Sequence, residues 1–229
     1  MLTAQQIVND ALAIAKAPGF TALGGRCLNL VLNDLCLHRD LKMNRRLTTF
    51  TATAGSNGPF SLGSDYLRTY DMWYEVSNFP YFLFPLGQDQ YDAMFKDPSI
   101  ANYPYAFATD LGSAPVTGNK SVFVFPQSNS SLTINHRYMR NRPDIPNPET
   151  SAVIPWFQDV DYLVHATATR IMKITDDQRY ETFVAEGERM LKTHLIMEGD
   201  EMQVVRSIKL DPQRFHLNRA IKPTKESPY

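Results

Sequence analysis

Residues 156–199 read WFQDVDYLVHATATRIMKITDDQRYETFVAEGERMLKTHLIMEG, the longest stretch of helical periodicity in the chain. Phe157, Val160, Val164, Ala168, Ile171 and Ile174 recur at steps of three and four, which places them on one helix face. Asp161, His165, Arg170 and Lys173 fall mostly off that face. Pro155 fits a first helical position, where a missing N–H costs nothing. Thr175 and Gln178 have capping-box spacing, with Asp176 and Asp177 at the positive end of a second helix. That helix carries Tyr180, Val184, Gly187, Leu191 and Leu195. Two amphipathic helices with almost no linker predict an antiparallel hairpin whose apolar stripes need covering by other helices.

The cover comes from the N-terminus. Thr3 and Gln6 form a capping box that opens a helix from about Thr3 to Ala17, with Ile7, Ala11 and Ile14 on one face, and Pro18-Gly19 ends it. A second helix runs from about Thr21 to Arg39, with Leu23, Cys27, Leu30, Val31 and Leu35 inward. The predicted fold class is α+β. Residues 1–46 and 152–203 form a four-helix bundle, residues 47–151 a large β-rich insertion, and residues 204–229 an extended C-terminal arm.

The insertion is rich in Phe, Tyr, Pro, Gly, Ser and Asn. Arg46–Ala54, Phe60–Leu62, Leu67–Val76, Tyr81–Phe84, Tyr103–Ala108, Ser121–Phe125 and Ser131–Tyr138 read as strands, with turns at Ser56–Pro59 and Ser77-Asn78. Gln88–Phe95 reads as a short helix, and Pro143, Pro146 and Pro148 as an extended connector. The aromatic cluster Trp73, Tyr74, Phe79, Tyr81, Phe82 and Phe84 is assigned to sheet core, because only Arg68 lies near it in sequence and a base-stacking platform needs interleaved cations.

Composition is that of an ordinary globular protein, with 229 residues and net charge −1, which gives no global pull towards nucleic acid or anionic membrane. No stretch reaches the roughly 20 apolar residues of a membrane span, and MLTAQQIVND lacks the pattern of a secretory signal. Cys27 and Cys36 lie about 13 Å apart along one helix, beyond disulfide reach, and are expected to be reduced and buried.

Catalytic signals are weak. His38, His136, His165, His194 and His216 lack metal-ligand spacing, although His165 and His194 sit on neighbouring helices. Thr117-Gly118-Asn119-Lys120-Ser121 lacks the upstream glycine of a phosphate loop and reads as a hairpin turn. The expectation is a non-enzyme without cofactor or metal.

Residues 204–229 carry six basic and two acidic side chains, a net +4 that leaves −5 on the rest of the chain. The segment reads either as a disordered tail or as an arm that orders on a partner. Its apolar residues favour the arm. The candidate binding residues are Val204, Val205, Arg206, Ile208, Lys209, Leu210, Arg214, Phe215, Arg219, Ile221, Lys222 and Tyr229.

Several segments then line up. One is Gly58-Pro59-Phe60-Ser61-Leu62-Gly63-Ser64-Asp65-Tyr66-Leu67-Arg68. Another is Phe123-Val124-Phe125-Pro126, followed by a strand ending His136-Arg137-Tyr138-Met139-Arg140. A third is the Pro-rich connector running into Ile154-Pro155-Trp156-Phe157 and the hairpin. In this order they resemble the head-to-tail adaptor (connector or neck) proteins of tailed bacteriophages. This chain has Gly63-Ser64 where a proline is expected before the Asp-Tyr-Leu-Arg segment. The resemblance implies a structural virion protein, made in the host cytoplasm and located in the neck. It implies a dodecameric ring beneath the portal protein that continues the DNA channel for genome ejection, with a tail nozzle or tail-tube protein below. DNA would pass only in transit, no catalytic residue carries over, and the arm would reach the portal. The alternative is another tail component, a tail-tube or nozzle protein, without direct portal contact.

Overall fold

The computed structural model describes residues 2–39, 41–94, 101–110 and 120–198. The chain is mixed α+β. Helix α1 (Ala4–Ile14) opens on the predicted capping box, with both reciprocal Thr3–Gln6 hydrogen bonds formed. It ends in a Schellman closure: Lys16 takes a left-handed conformation and the Ala17 N–H donates to the Leu12 carbonyl. Helix α2 (Thr21–His38) packs on it at Gly24, where an added Cβ would lie 2.9 Å from Val8. Leu30 does not point inward; it is half exposed, one position off a stripe formed by Cys27, Leu28, Val31, Leu32 and Leu35.

The hairpin differs from its sequence reading in three ways. Its first helix, α4 (Val160–Ile174), starts later than Pro155. Asp159 is the N-cap and accepts from the Tyr162 N–H at 3.0 Å, leaving Pro155, Trp156 and Phe157 outside the helix. The buried face is therefore centred on Leu163, Thr167, Ala168, Ile171 and Met172, with Val160 and Val164 at its margin and Ile174 exposed. Thr175 caps no second helix. It is the C-cap of α4, and its hydroxyl donates to the Ile171 or Met172 carbonyl. Asp176, at φ +54°, supplies the left-handed residue, and the Asp177 N–H reaches back to the Met172 carbonyl. The last helix, α5 (Tyr180–Glu198), then begins at Tyr180.

The four helices do not close into a bundle. Helix α4 is central and packs on α1, α2 and α5, whereas α5 packs chiefly on α4. The apolar stripe of α5 is wide enough for one neighbour: Leu191 is buried, while Tyr180, Phe183 and Leu195 are only partly covered. A cleft of about 260 Å³ separates α5 from α2, lined by Val31, Asp34, Tyr162, Phe183, Val184 and Leu191.

The β-rich part is a two-sheet sandwich with a helix on one side. Its strands are β1 (Arg45–Ala52), β2 (Phe60–Ser61), β3 (Tyr66–Val76), β4 (Phe79–Phe82), β5 (Phe84–Pro85), β6 (Ala101–Asn102), β7 (Ala106–Asp110), β8 (Ser121–Phe125), β9 (Gln127–Ser128) and β10 (Leu132–Arg140). One sheet has the order β1-β10-β3-β4, antiparallel throughout; the other has the order β2-β8-β7-β5. Ser77 and Asn78 both have positive φ, as the tight hairpin between β3 and β4 requires. Met72, Tyr74 and Ile134 of the first sheet meet Phe107, Val122 and Val124 of the second to form the core. Helix α3 (Gln88–Met94) places Tyr91 against Ala108 and Phe125 on the far side of the second sheet. The turn expected around Gly118 lies outside the described residues.

Candidate functional site

The segment quoted above from Gly58 to Arg68 builds a polar seam where the sandwich meets the helices. Asp65 sits in the turn that enters β3. Tyr138 on β10 donates its hydroxyl to Asp65 Oδ1 at 2.7 Å, and Arg46 on β1 donates to Oδ2 at 2.9 Å. Burial alone would raise the Asp65 carboxyl, but these donors outweigh it and hold the group below its ordinary value. Burial, reinforced by the bond to Asp65, pushes the Tyr138 phenol up to about 12. Gly63 is needed here: a Cβ would lie 2.7 Å from the Tyr138 hydroxyl oxygen. The Tyr66 N–H donates to the Gly63 carbonyl at 2.9 Å, so the turn closes without proline.

His136 stacks on Tyr138 with centroids 5.0 Å apart, and its Nε2 pairs with the Thr69 hydroxyl at 3.1 Å. Burial lowers it to about 4. At the lower end of the seam, the fully buried Asn44 donates to the Arg140 carbonyl at 2.8 Å and accepts from Arg142 Nε at 3.2 Å. The Arg142 guanidinium lies over Trp156 at 5.3 Å.

The Pro-rich connector is docked rather than loose. Asn29 on α2 bonds both the N–H and the carbonyl of Ile145, and Asn33, one turn on, donates to Asp144. Gly25 lets the chain pass, because a Cβ there would meet Glu149 at 2.5 Å and Pro148 at 3.3 Å. These positions were not identified from sequence, although Gly25, Asn29 and Asn33 fall at i, i+4 and i+8 on one helix face.

The two hairpin histidines go to separate carboxylates. His165 stacks on Phe183 with Nε2 3.6 Å from Glu186; His194 Nδ1 is 3.7 Å from Asp159. Among the described residues no group of three His, Cys, Asp or Glu is placed to hold a metal ion, and no helix is long and apolar enough to cross a membrane. Cys27 and Cys36 are buried and unbridged, and burial pushes both thiols up.

The aromatic cluster is the largest departure from expectation. Tyr74 alone lies in the sheet core, and Trp73 is half-buried. Phe79, Tyr81, Phe82 and Phe84 are 68%, 50%, 57% and 67% exposed along an edge shared by the two sheets. Cations do interleave with it, from strands distant in sequence: Arg137 lies over Trp73 at 5.2 Å and Arg45 over Tyr70 at 3.8 Å. Val204, Val205, Arg206, Ile208, Lys209, Leu210, Arg214, Phe215, Arg219, Ile221, Lys222 and Tyr229 all lie outside the described residues.

An α+β body with four exposed aromatic side chains, Phe79, Tyr81, Phe82 and Phe84, along one sheet edge has the kind of surface that proteins use for contact with other proteins. The sequence pattern of the SU10 adaptor protein family matches residues 2–206, and the chain belongs to that family. It is a phage adaptor, a structural component of the virion. No curated protein matches it.

Proposed function

We propose that this adaptor forms a ring that joins the portal to the tail and continues the channel through which DNA passes during ejection. The reading is carried by the family match over residues 2–206. The helical part (1–46 and 152–203) and the β-rich part (47–151) form the body of each copy, a dodecamer matching the resemblance. The arm (204–229) docks on the portal through Val204, Val205, Arg206, Ile208, Lys209, Leu210, Arg214, Phe215, Arg219, Ile221, Lys222 and Tyr229. Its +4 charge and interspersed apolar residues suit a segment that adds main-chain bonds and ion pairs along a neighbour. The lower face meets the nozzle or tail-tube protein.

The test is to mix the purified chain with the portal ring of the same virus and image the product by electron microscopy. A second ring stacked on the portal supports the reading and gives the stoichiometry. Absence of a complex, with both partners folded, moves the chain to a component further down the tail. A chain truncated after Met202 should stay folded and lose portal binding; equal binding by the truncated chain rejects the role of the arm.

A further inference from the structure

The sheet β1-β10-β3-β4 is antiparallel throughout, so its two outer strands run in opposite directions. Among the described residues, no strand pairs with the outer side of β1 or of β4. Copies placed side by side in one orientation therefore present β4 of one to β1 of the next with the polarity an antiparallel ladder needs.

Main-chain directions agree as well. The Leu83 N–H donates to the Met72 carbonyl, so alternation turns the polar groups of Phe79 and Tyr81 towards β3 and those of Pro80 and Phe82 outward. Carried across the sheet, the same alternation turns Thr48 and Phe50 towards β10 and Leu47 and Thr49 outward.

Side chains agree too. Phe82, opposite Trp73, lies on the outer face of the sheet; Leu47, opposite Arg137, lies on that same face. At 55% and 57% exposed, Leu47 and Phe82 are the large apolar side chains that end this face at its two edges. Between them runs a ladder of arginine–aromatic contacts, Arg45 on Tyr70, Arg137 on Trp73 and Trp73 on Phe82, which the next copy would extend.

We infer that β4 of one copy pairs antiparallel with β1 of a second copy, Phe82 opposite Leu47, so that the sheet runs on from subunit to subunit. This rests on the ring proposed above. In that register Tyr81 faces Thr48, Pro80 faces Thr49 and Phe79 faces Phe50, each pair on one face. The Leu47–Phe82 pair exchanges both main-chain hydrogen bonds, and the Thr49 N–H donates to the Pro80 carbonyl. Pro80 withholds a donor, which keeps the edge from recruiting arbitrary strands and leaves specificity to the rings. The three half-exposed aromatics of β4, Phe79, Tyr81 and Phe82, cover on the order of 300 Å², short of the roughly 800 Å² per partner of a stable pair. A contact of that size suits a ring, where each copy is held on two sides. The contact is heterologous, as ring closure requires.

The test is cysteine cross-linking in the full-length chain assembled with the portal ring of the same virus. Both sites are more than half exposed, so Leu47→Cys and Phe82→Cys remove no core side chain, and circular dichroism checks folding. The double variant should give a ladder of covalent oligomers on mild oxidation. Thr48→Cys with Phe82→Cys, whose side chains point to opposite faces, should give at least tenfold less. A ring seen by microscopy without the Leu47–Phe82 ladder overturns the strand pairing and leaves the ring reading intact. No ring in the presence of the portal overturns both.

Discussion

The buried imidazole of His136 makes stability depend on pH in a definite direction. Its folded value, about 4, lies below the ordinary 6.5 because burial penalises the charged ring. The unfolded chain takes up a proton as pH falls through 6.5, while the native chain does so only near 4. The contribution is thus fully present above pH 6.5 and is lost as pH falls through that window, by roughly 3 kcal/mol at its end. Asp65, held below its ordinary 3.8, titrates under this window and acts in the same sense. Urea midpoints should drop between pH 7.5 and 5, and His136→Gln should flatten that drop; an unchanged pH dependence in the variant would show that the ring is not responsible. Gly63 makes a second prediction at the same place. Gly63→Ala drives a methyl into the Tyr138 hydroxyl and should cost about 2 kcal/mol by breaking the bond to Asp65. In a Tyr138→Phe background the same change should cost less, since one of the two oxygens the methyl meets is gone and only Asp65 Oδ1, at 2.8 Å, remains; full additivity in the double-mutant cycle refutes the contact.

At the scale of elements, the connector and α1 support each other. The first-turn N–H groups of Ala4 and Gln5, orphaned in any isolated helix, donate to the Val153 and Ser151 carbonyls at 2.8 and 3.1 Å. Asn29→Ala should therefore loosen two elements at once. It leaves both main-chain groups of Ile145 without their partner, at about 1–2 kcal/mol. Proteolysis within 143–155 and amide exchange at Ala4 and Gln5 should both accelerate; faster cleavage with unchanged exchange would uncouple them. Local signals of this kind explain what the sequence could and could not disclose. The Thr3–Gln6 box and the Ser77-Asn78 turn were legible because every interacting group lies within a few residues. Thr175–Gln178 has the same spacing as a true box, yet the preceding helix claims Thr175 as its C-cap, so spacing alone misled. The run from Phe79 to Phe84 has the composition of core. Its exposure follows from strand order, which puts β4 at an edge, and that order is set by pairings between β3 and β10, from Ile134 with Tyr74 to Arg140 with Tyr66, that are remote in sequence. Asn29 and Ile145 stand 116 residues apart, so nothing local announces their bond.

Over the whole molecule, helices and sandwich are tied by a small set of polar groups rather than by one continuous apolar core. The helical cluster and the sandwich cluster share no buried apolar residue, and Asn44 lies between them. It binds the end of β10 through the Arg140 carbonyl and the start of the connector through Arg142, which continues to Trp156 before α4. A buried amide serving two partners is worth more than one bond, because its loss strands a carbonyl and a guanidinium where water enters poorly. The intact chain should therefore melt in a single transition, with calorimetric and van't Hoff enthalpies in agreement. Asn44→Leu keeps the branched shape of the side chain and removes both bonds. It should cost about 2–4 kcal/mol, a large share of a domain's usual 5–15. If the seam couples the two parts, the loss also lowers the ratio of van't Hoff to calorimetric enthalpy, as sandwich and helices begin to melt separately. A variant that melts earlier but still in one step would mean that the connector docked on α2 is sufficient to hold the parts together, and Asn44→Leu combined with Asn29→Ala would then be the pair that separates them.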